Sequence, residues 1–270
     1  MKKRTVVITG ITGTLGEALG RQYLRSGWSV VGVSRKKKLD ESTPSVLHSS
    51  GQATPADANA LLDLDPHRIF LNAGQIETEI GPNGEPLTEM ALSISQVNYL
   101  FPMTVALEAA KRQWDHPLDI VVVGSIADGS PSCFGPIYHA SKIAAHYFVS
   151  GVGPILYSAN SRIRLRLYRP GVIKGPLSWA PVNRLNDSGY KIRAKRCESA
   201  PPADEVAARI VRWADGGKWV GSDHEPFSFL IFKYLFALFP NFFYRLQLLG
   251  WRKGSKFTGN SVTKAGVSQT

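Results

Sequence analysis

The sequence predicts an α/β chain built as a single domain on one doubly wound parallel sheet. Three observations carry this. Short apolar runs alternate with longer helix-like segments along most of the chain. Two of the runs, RIFLN (68–72) and DIVVVG (119–124), are apolar without alternation, as strands covered on both faces are. A glycine-rich turn separates the first run from the first helical segment. With 270 residues, 43% of them hydrophobic, the chain can bury the core of one large α/β domain or two small ones.

The elements follow in order. The start, MKKRTVVITG, has the basic residues of a signal peptide, but Val6–Ile8 is too short for an apolar h-region. It reads instead as the first strand, TVVIT (5–9). Gly16–Ser26 reads as a helix with Ala18, Leu19 and Leu24 apolar, and SVVGV (29–33) as a second strand. Between Ser34 and Val46 there is little room for a helix, and the Ser-rich stretch up to Pro55 has no apolar period, so one crossover helix is expected to be missing or reduced to a turn. RIFLN and DIVVVG are the next strands, with helical character over Ser93–Trp114 between them and over Ile137–Ser150 after them. RIRLRLYRPG (162–171) reads as a strand ending at Pro170. SGVGP (150–154) should break or kink the preceding helix. Arg162, Arg164 and Arg166 alternate with Ile163, Leu165 and Leu167 at strand period, and partner carboxylates inside the fold are the plainest account of them.

The chemistry is expected at the C-terminal ends of these strands. TGITGTLG (Thr9–Gly16) joins a strand to a helix, and Gly10, Gly13 and Gly16 let the backbone turn tightly and approach a phosphate drawn by the helix N-terminus. Thr12, Thr14 and Leu15 complete this stretch, which in its strand–turn–helix context predicts dinucleotide binding on a Rossmann-type sheet. The second strand ends in SRKKK (34–38), where Ser34 and Arg35 stand in place of an acidic residue for the ribose hydroxyls. They suit a 2′-phosphate. A hydrogen bond to a charged group contributes roughly 1.5–3 kcal/mol, enough for about a ten- to hundredfold preference for NADPH. Lys36–Lys38 read as a solvated run.

In GPIYHASKIAAHYF (135–148), Tyr138 and Lys142 lie four apart on one helical face. Such a pair recurs by chance, and alone it reads as a half-buried tyrosine beside a solvated lysine. Ser125 closes a buried strand 13 residues earlier. A tyrosine donates protons usefully when its pKa comes down from about 10, and a lysine cation with the positive ring of an oxidised nicotinamide favours the phenolate.

Taken together, the motifs resemble the short-chain dehydrogenase/reductase family from about Thr5 to Val220. TGITGTLG, LNAG (71–74), Asn98 in QVNYL, GSIA (124–127), YHASK and RPGVIKGP (169–176) occur in that family's order. The resemblance implies that Tyr138 is the general acid/base, that Ser125 positions the carbonyl, and that Asn98 holds a water in the proton relay. It implies that Lys142 binds the nicotinamide ribose and lowers the tyrosine pKa. Asn72, Ala73 and Gly74 would lie near the adenosine half of the cofactor, with Pro170, Gly171 and Ile173 also on it. The implied reaction is reversible hydride transfer between NADP(H) and a carbonyl or alcohol, with no metal. Several positions depart from the pattern. Thr14 replaces a usual glycine, and the TGxxGxxG spacing is closer to the extended, sugar-nucleotide-modifying members, although the length and short C-terminal region argue against that branch. LNAG replaces NNAG. Gly175 stands where a threonine often contacts the nicotinamide amide. A sugar-nucleotide epimerase or dehydratase, and a cofactor-binding scaffold without catalysis, are the alternative functions. His139 points to the next helical face. Cys133 either lines the pocket or packs as a small hydrophobe. By position, the polar segment Leu177–Pro202 resembles the substrate-covering loop, with Trp179 and Tyr190 as candidate pocket walls.

The net charge is +11, and it is concentrated at the C-terminus. After Glu225 there is no acidic residue, while Lys233, Arg245, Arg252, Lys253, Lys256 and Lys264 remain beside FSFLIFKYLFALFPNFFYRLQLLGW. A basic, aromatic-rich end suits an anionic membrane surface better than nucleic acid, for which no recognition helix or stacking platform stands out. The segment has three readings: a core or dimer-interface helix, an interfacial membrane anchor, and a span, which Lys233 and Pro240 interrupt below the roughly 20 residues needed. The sequence therefore divides into a nucleotide-binding domain (1–225), an apolar basic segment (226–253) that offers peripheral membrane contact through 227–253, and a disordered tail (254–270). Homo-oligomerisation is open. Two cysteines, Cys133 and Cys197, are too few for a disulfide framework and indicate a reducing, cytoplasmic setting.

Overall fold

The computed structural model describes residues 3–35, 46–48, 52–82, 84–187 and 195–254. Seven strands form one sheet: β1 (Thr5–Thr9), β2 (Ser29–Ser34), β3 (Val46–His48), β4 (Arg68–Leu71), β5 (Leu118–Val123), β6 (Ile163–Arg169) and β7 (Val220–Ser222). Their order across the sheet is β3-β2-β1-β4-β5-β6-β7, and every neighbouring pair is parallel. The direction of winding reverses between β1 and β4, which opens a crevice beyond their C-terminal ends, the place where such sheets bind ligands.

The pleat of the strands assigns the two faces. Val7, Ile69, Leu71, Ile120 and Val122 pack under α2 (Pro55–Leu62), α4 (Phe101–Ala110) and α5 (Pro136–Ala159). Val6, Ile8, Phe70, Val121 and Val123 alternate with them and pack under α1 (Thr14–Arg25) and α8 (Ala203–Ala214). Burial on both faces explains why these strands are apolar throughout. Of the three alternating arginines, Arg166 has the expected carboxylate: it is buried with its Nη1 2.9 Å from Asp119 Oδ2, and Asp119 also takes Arg68 Nε of β4 at 2.9 Å, whereas Arg162 donates to the Trp114 carbonyl.

Several expectations need correcting. α5 runs unbroken through SGVGP to Ala159. Gly153 faces the sheet, where a side chain would stand 3.1 Å from the Leu165 carbonyl, so the glycine is there for close packing. Pro154 and Ser150 are exposed, so the carbonyl that Pro154 cannot bond lies on the solvent side. Leu177–Pro202 is not irregular throughout: α6 (Pro176–Asp187) and the short α7 (Lys195–Glu198) lie within it, and Tyr190 falls outside the described residues. The predicted loss of a crossover helix after β2 also falls on residues outside the described ones, as do Lys36–Lys38 and the tail beyond Gly254. The C-terminal segment folds as α9 (Phe227–Leu238) and α10 (Pro240–Gly254). Each is too short to span a bilayer.

Candidate active site

The glycine-rich turn is fixed by contacts that exclude side chains. Gly10 has φ +67°, a conformation costly for other residues, and its N–H donates to the Val33 carbonyl at 2.8 Å. A β-carbon on Gly10 would meet Ala73 Cα at 2.9 Å, and one on Gly16 would meet the Gly10 carbonyl oxygen at 2.1 Å. Thr9 ties the turn to the loop after β4: its Oγ1 accepts from Asn72 N at 2.9 Å and Ala73 N at 3.0 Å and donates to the Phe70 carbonyl at 3.3 Å. Asn72 Nδ2 donates back to the Thr9 carbonyl at 3.1 Å. Gly13 caps α1 without a side chain, which leaves the first amides of that helix directed at the crevice.

Around this turn, Thr12 Oγ1 and Ser34 Oγ lie 3.1 Å apart. Arg35 is exposed. Its guanidinium donates to the Gln75 amide oxygen at 2.8 and 3.1 Å, with the Gln75 nitrogen turned to Ser93 Oγ at 2.6 Å. On the far side, the Pro170–Gly171 turn is pinned by Asp223, whose Oδ2 accepts from Gly171 N at 3.0 Å and whose Oδ1 accepts from the Tyr168 hydroxyl at 2.8 Å. Ile173 packs against the α1–α8 side of the core and Leu15 lies beside it. Thr14 and Gly175, both departures from the family pattern, face one another: a β-carbon on Gly175 would stand 3.0 Å from Thr14 Oγ1.

The proton-transfer candidates converge beside Gly74. Asn98 is buried on a π-helical turn (Gln96–Leu100) inserted between α3 (Thr88–Ser95) and α4, a distortion that often marks functional positions. Its Nδ2 donates to the Gln75 carbonyl and to Ser141 Oγ, both at 2.9 Å, and its Oδ1 accepts from Gln75 N at 2.8 Å. A β-carbon on Gly74 would lie 3.7 Å from Asn98 Oδ1 and 3.8 Å from Lys142 Nζ. Lys142 is buried, its Nζ donating to the Val123 carbonyl at 3.0 Å and standing 5.7 Å from the Tyr138 ring centroid. Ser125 follows β5, its Oγ accepting from Ala127 N at 3.1 Å, and its side chain hydrogen-bonds with that of Tyr138.

The electrostatics differ from the simple expectation of a lysine that lowers a tyrosine pKa. Burial pushes the Tyr138 phenol above its ordinary value, opposed by the Ser125 hydrogen bond and reinforced by the carboxylates of Asp128 and Glu77. Burial also lowers Lys142 to about 8, against the attraction of Asp128. Both charged forms lose hydration together, so burial keeps the tyrosine protonated.

Two acidic residues here escaped the sequence reading. Glu77 is buried, and its Oε1 accepts from Ile137 N at 2.6 Å and Tyr138 N at 3.1 Å, capping α5 from sixty residues earlier in the chain. Asp128 lies on the short 3-10 turn Ile126–Gly129, fully buried between Arg169 Nε at 2.8 Å and His146 Nδ1 at 2.8 Å. No spacing in the sequence joins either residue to Tyr138. Of the smaller candidates, His139 turns away, its Nδ1 2.9 Å from the Ser130 carbonyl, and Cys133 lines a cavity against α10.

No family model matches the chain. It is 27% identical over 187 residues to 2,3-dihydro-2,3-dihydroxybenzoate dehydrogenase of Bacillus subtilis, covering 64% of this chain and 71% of that protein. It is 25% identical over 149 residues to serine 3-dehydrogenase of Agrobacterium fabrum, covering 53% and 55%. Among solved structures, a short chain dehydrogenase from Burkholderia cenocepacia in complex with NADP superposes with a TM-score of 0.65 at 18% identity, over 92% of this chain and 98% of that one. The 3-oxoacyl-[acyl-carrier protein] reductase from Brucella melitensis in complex with NAD superposes with a TM-score of 0.64 at 19% identity, over 82% and 96%.

Proposed function

We propose that this chain, a member of the short-chain dehydrogenase/reductase family, transfers hydride reversibly between NADP(H) and a carbonyl or alcohol substrate. The observation that carries the proposal is the clustering of Asn98 Oδ1 and Lys142 Nζ, 3.7 and 3.8 Å from where a Gly74 β-carbon would stand, with Tyr138 and its Ser125 hydrogen bond, the tyrosine ring centroid 5.7 Å from that Nζ. The cradle suits a dinucleotide on structural grounds, because Gly10 and Gly16 let the backbone fold into a tight strand-to-helix turn that side chains there would force apart. When bound, the nicotinamide supplies or accepts the hydride.

The chain's own residues do the rest. The first amides of α1, from Thr14 to Gly16, take the pyrophosphate. Ser34 and Arg35 take the 2′-phosphate, for which Arg35 leaves Gln75. Asn72, Ala73 and Gly74 lie along the adenosine half, and Pro170, Gly171 and Ile173 along the nicotinamide. Lys142 holds the ribose hydroxyls, and Ser125 orients the substrate oxygen. Tyr138, kept protonated by its burial, gives its proton to that oxygen in reduction, and Asn98 holds the water that returns one. Several structural neighbours were solved with NADP or NADPH, among them a serine dehydrogenase with NADP+, which supports the choice of cofactor.

A fluorescence titration tests the reading. NADPH is expected to bind about ten- to a hundredfold more tightly than NADH, and Arg35→Asp to abolish the difference. Tyr138→Phe is expected to lower turnover at least about a hundredfold with NADPH affinity unchanged. Equal affinities would remove the NADP(H) assignment, and retained turnover would remove the role of Tyr138.

A further inference from the structure

The C-terminal hairpin presents an apolar surface that the rest of the chain leaves uncovered. α9 reads FSFLIFKYLFAL, apolar around nearly its whole circumference, yet none of its residues is buried. A helix of that composition in a water-soluble fold is normally enclosed. Among the described side chains of α10 only Phe243 is buried, packed edge-on against Phe232 and Phe236 of α9 at centroid distances of 6.2 and 5.5 Å. The two helices therefore hold each other and leave Phe227, Tyr234, Phe239, Phe242 and Tyr244 exposed. Among the described residues, ten of the nineteen exposed large apolar side chains lie between Phe227 and Leu249, so the exposure is concentrated on this hairpin rather than scattered over the molecule. Phe227 is 75% exposed, Tyr244 70% and Leu238 66%, with Phe239 and Phe242 beside them at the bend.

Charge selects what covers this face. From Pro226 to the C-terminus the chain has six lysines and arginines and no carboxylate. Lys233 and Arg245 are exposed on the two helices themselves. Two copies of this face would bring like charges together, whereas an anionic lipid surface satisfies the cations and the aromatics at once. The hairpin is also tied to the active-site loop: Cys133 N donates to Gln247 Oε1 at 2.8 Å, and Phe134 lies against Trp251 with centroids 6.2 Å apart. Between them is a cavity of about 310 Å³ lined by Cys133, Pro136, Tyr244, Leu248 and Trp251, two residues from Tyr138. We propose that the α9–α10 hairpin docks this protein on anionic bilayers, lying in the interface with the loop before Tyr138 held against the lipid side.

Vesicle flotation of the full chain tests this without reference to catalysis. Vesicles of equal parts phosphatidylcholine and phosphatidylglycerol are expected to bind at least about tenfold more protein than phosphatidylcholine alone, and high salt to remove the difference. K233E/R245E keeps every apolar residue and is expected to lose the anionic preference with an unchanged melting temperature. F239S/F242S is expected to abolish flotation on either vesicle. Absence of flotation, or flotation indifferent to lipid charge and to K233E/R245E, overturns the proposal. A lipid-free dimer that F239S/F242S dissociates, with no flotation, assigns the face to a second copy and overturns it as well.

Discussion

Lys142 occupies a position that costs stability. Its ammonium is buried, held by one carbonyl, and lowered to about 8 from an ordinary value of 10.5. Keeping it charged at pH 7 costs about 3 kcal/mol. Lys142→Met removes that penalty but leaves the Val123 carbonyl without its donor, worth about 1 kcal/mol. The variant is therefore expected to be inactive and to melt about 5 °C higher at pH 7, as measured by calorimetry. The sign follows from proton binding. Between pH 8 and 10.5 the unfolded chain holds a proton on Lys142 that the folded chain has released, so this residue's contribution to stability rises with pH there. The advantage of the variant should shrink over the same range, and a variant less stable than the parent at pH 7 would show that the ammonium is well solvated or paired. The motif residues themselves were legible in the sequence, because backbone approach and helical spacing dictate residue type at Gly10, Gly16, Tyr138 and Lys142. What was not legible was how they affect one another. Thr14 and Gly175 look like separate defects in the sequence, and only the fold reveals that the threonine side chain occupies the space the glycine vacates.

At the scale of elements, α5 starts with Gly135, which has no side chain to cap it, and the cap comes instead from Glu77 in the loop after β4. The carboxylate meets the positive end of the helix and fixes the backbone of Tyr138 itself. Glu77→Ala is expected to cost about 1–2 kcal/mol, read as a lower denaturation midpoint, and to lower kcat. Glu77→Gln keeps an acceptor oxygen and removes the charge that raises the Tyr138 pKa, so it should restore most stability while shifting the alkaline limb of the kcat profile to lower pH. Identical pH profiles for parent and Gln variant would confine Glu77 to a structural cap. Long-range caps of this kind have no local signature, which is why sequence reading missed Glu77; the break or kink expected at SGVGP fails for a different reason, the close packing of Gly153 on the Leu165 carbonyl. Other elements did carry signals. α8 buries Ala203, Val206, Ala207, Ile210 and Ala214 at helical spacing, and α2 opens on a Thr54 cap with proline at its first position. β3 and β7 are three residues each, too short for a period of two to register.

At the scale of the molecule, the sheet domain has a definable end. The sheet closes with β7 at Ser222, and Glu225 makes the last ion pair into the core, to Arg169 behind Asp128. Beyond that point α9 buries nothing and, among its described side chains, α10 buries one, against α9 itself. The hairpin's hydrophobic contribution to the sheet is therefore small, since stability from burial scales with the apolar area removed from water. A chain terminated after Glu225 is expected to fold, to melt within about 5 °C of the full protein, and to bind NADPH with the same affinity. It loses six cations and no carboxylate, taking the net charge from +11 to +5, and with them the main exposed aromatic face. The lost contacts that matter are Gln247 to Cys133 and Trp251 to Phe134, which support the loop leading into Tyr138. KM for substrate should therefore rise while the nucleotide site is untouched. Calorimetry and nucleotide titration on the shortened chain decide the matter. A fall in melting temperature much larger than this, or a parallel loss of NADPH binding, would place the hairpin inside the folding unit and move the domain boundary to the end of α10.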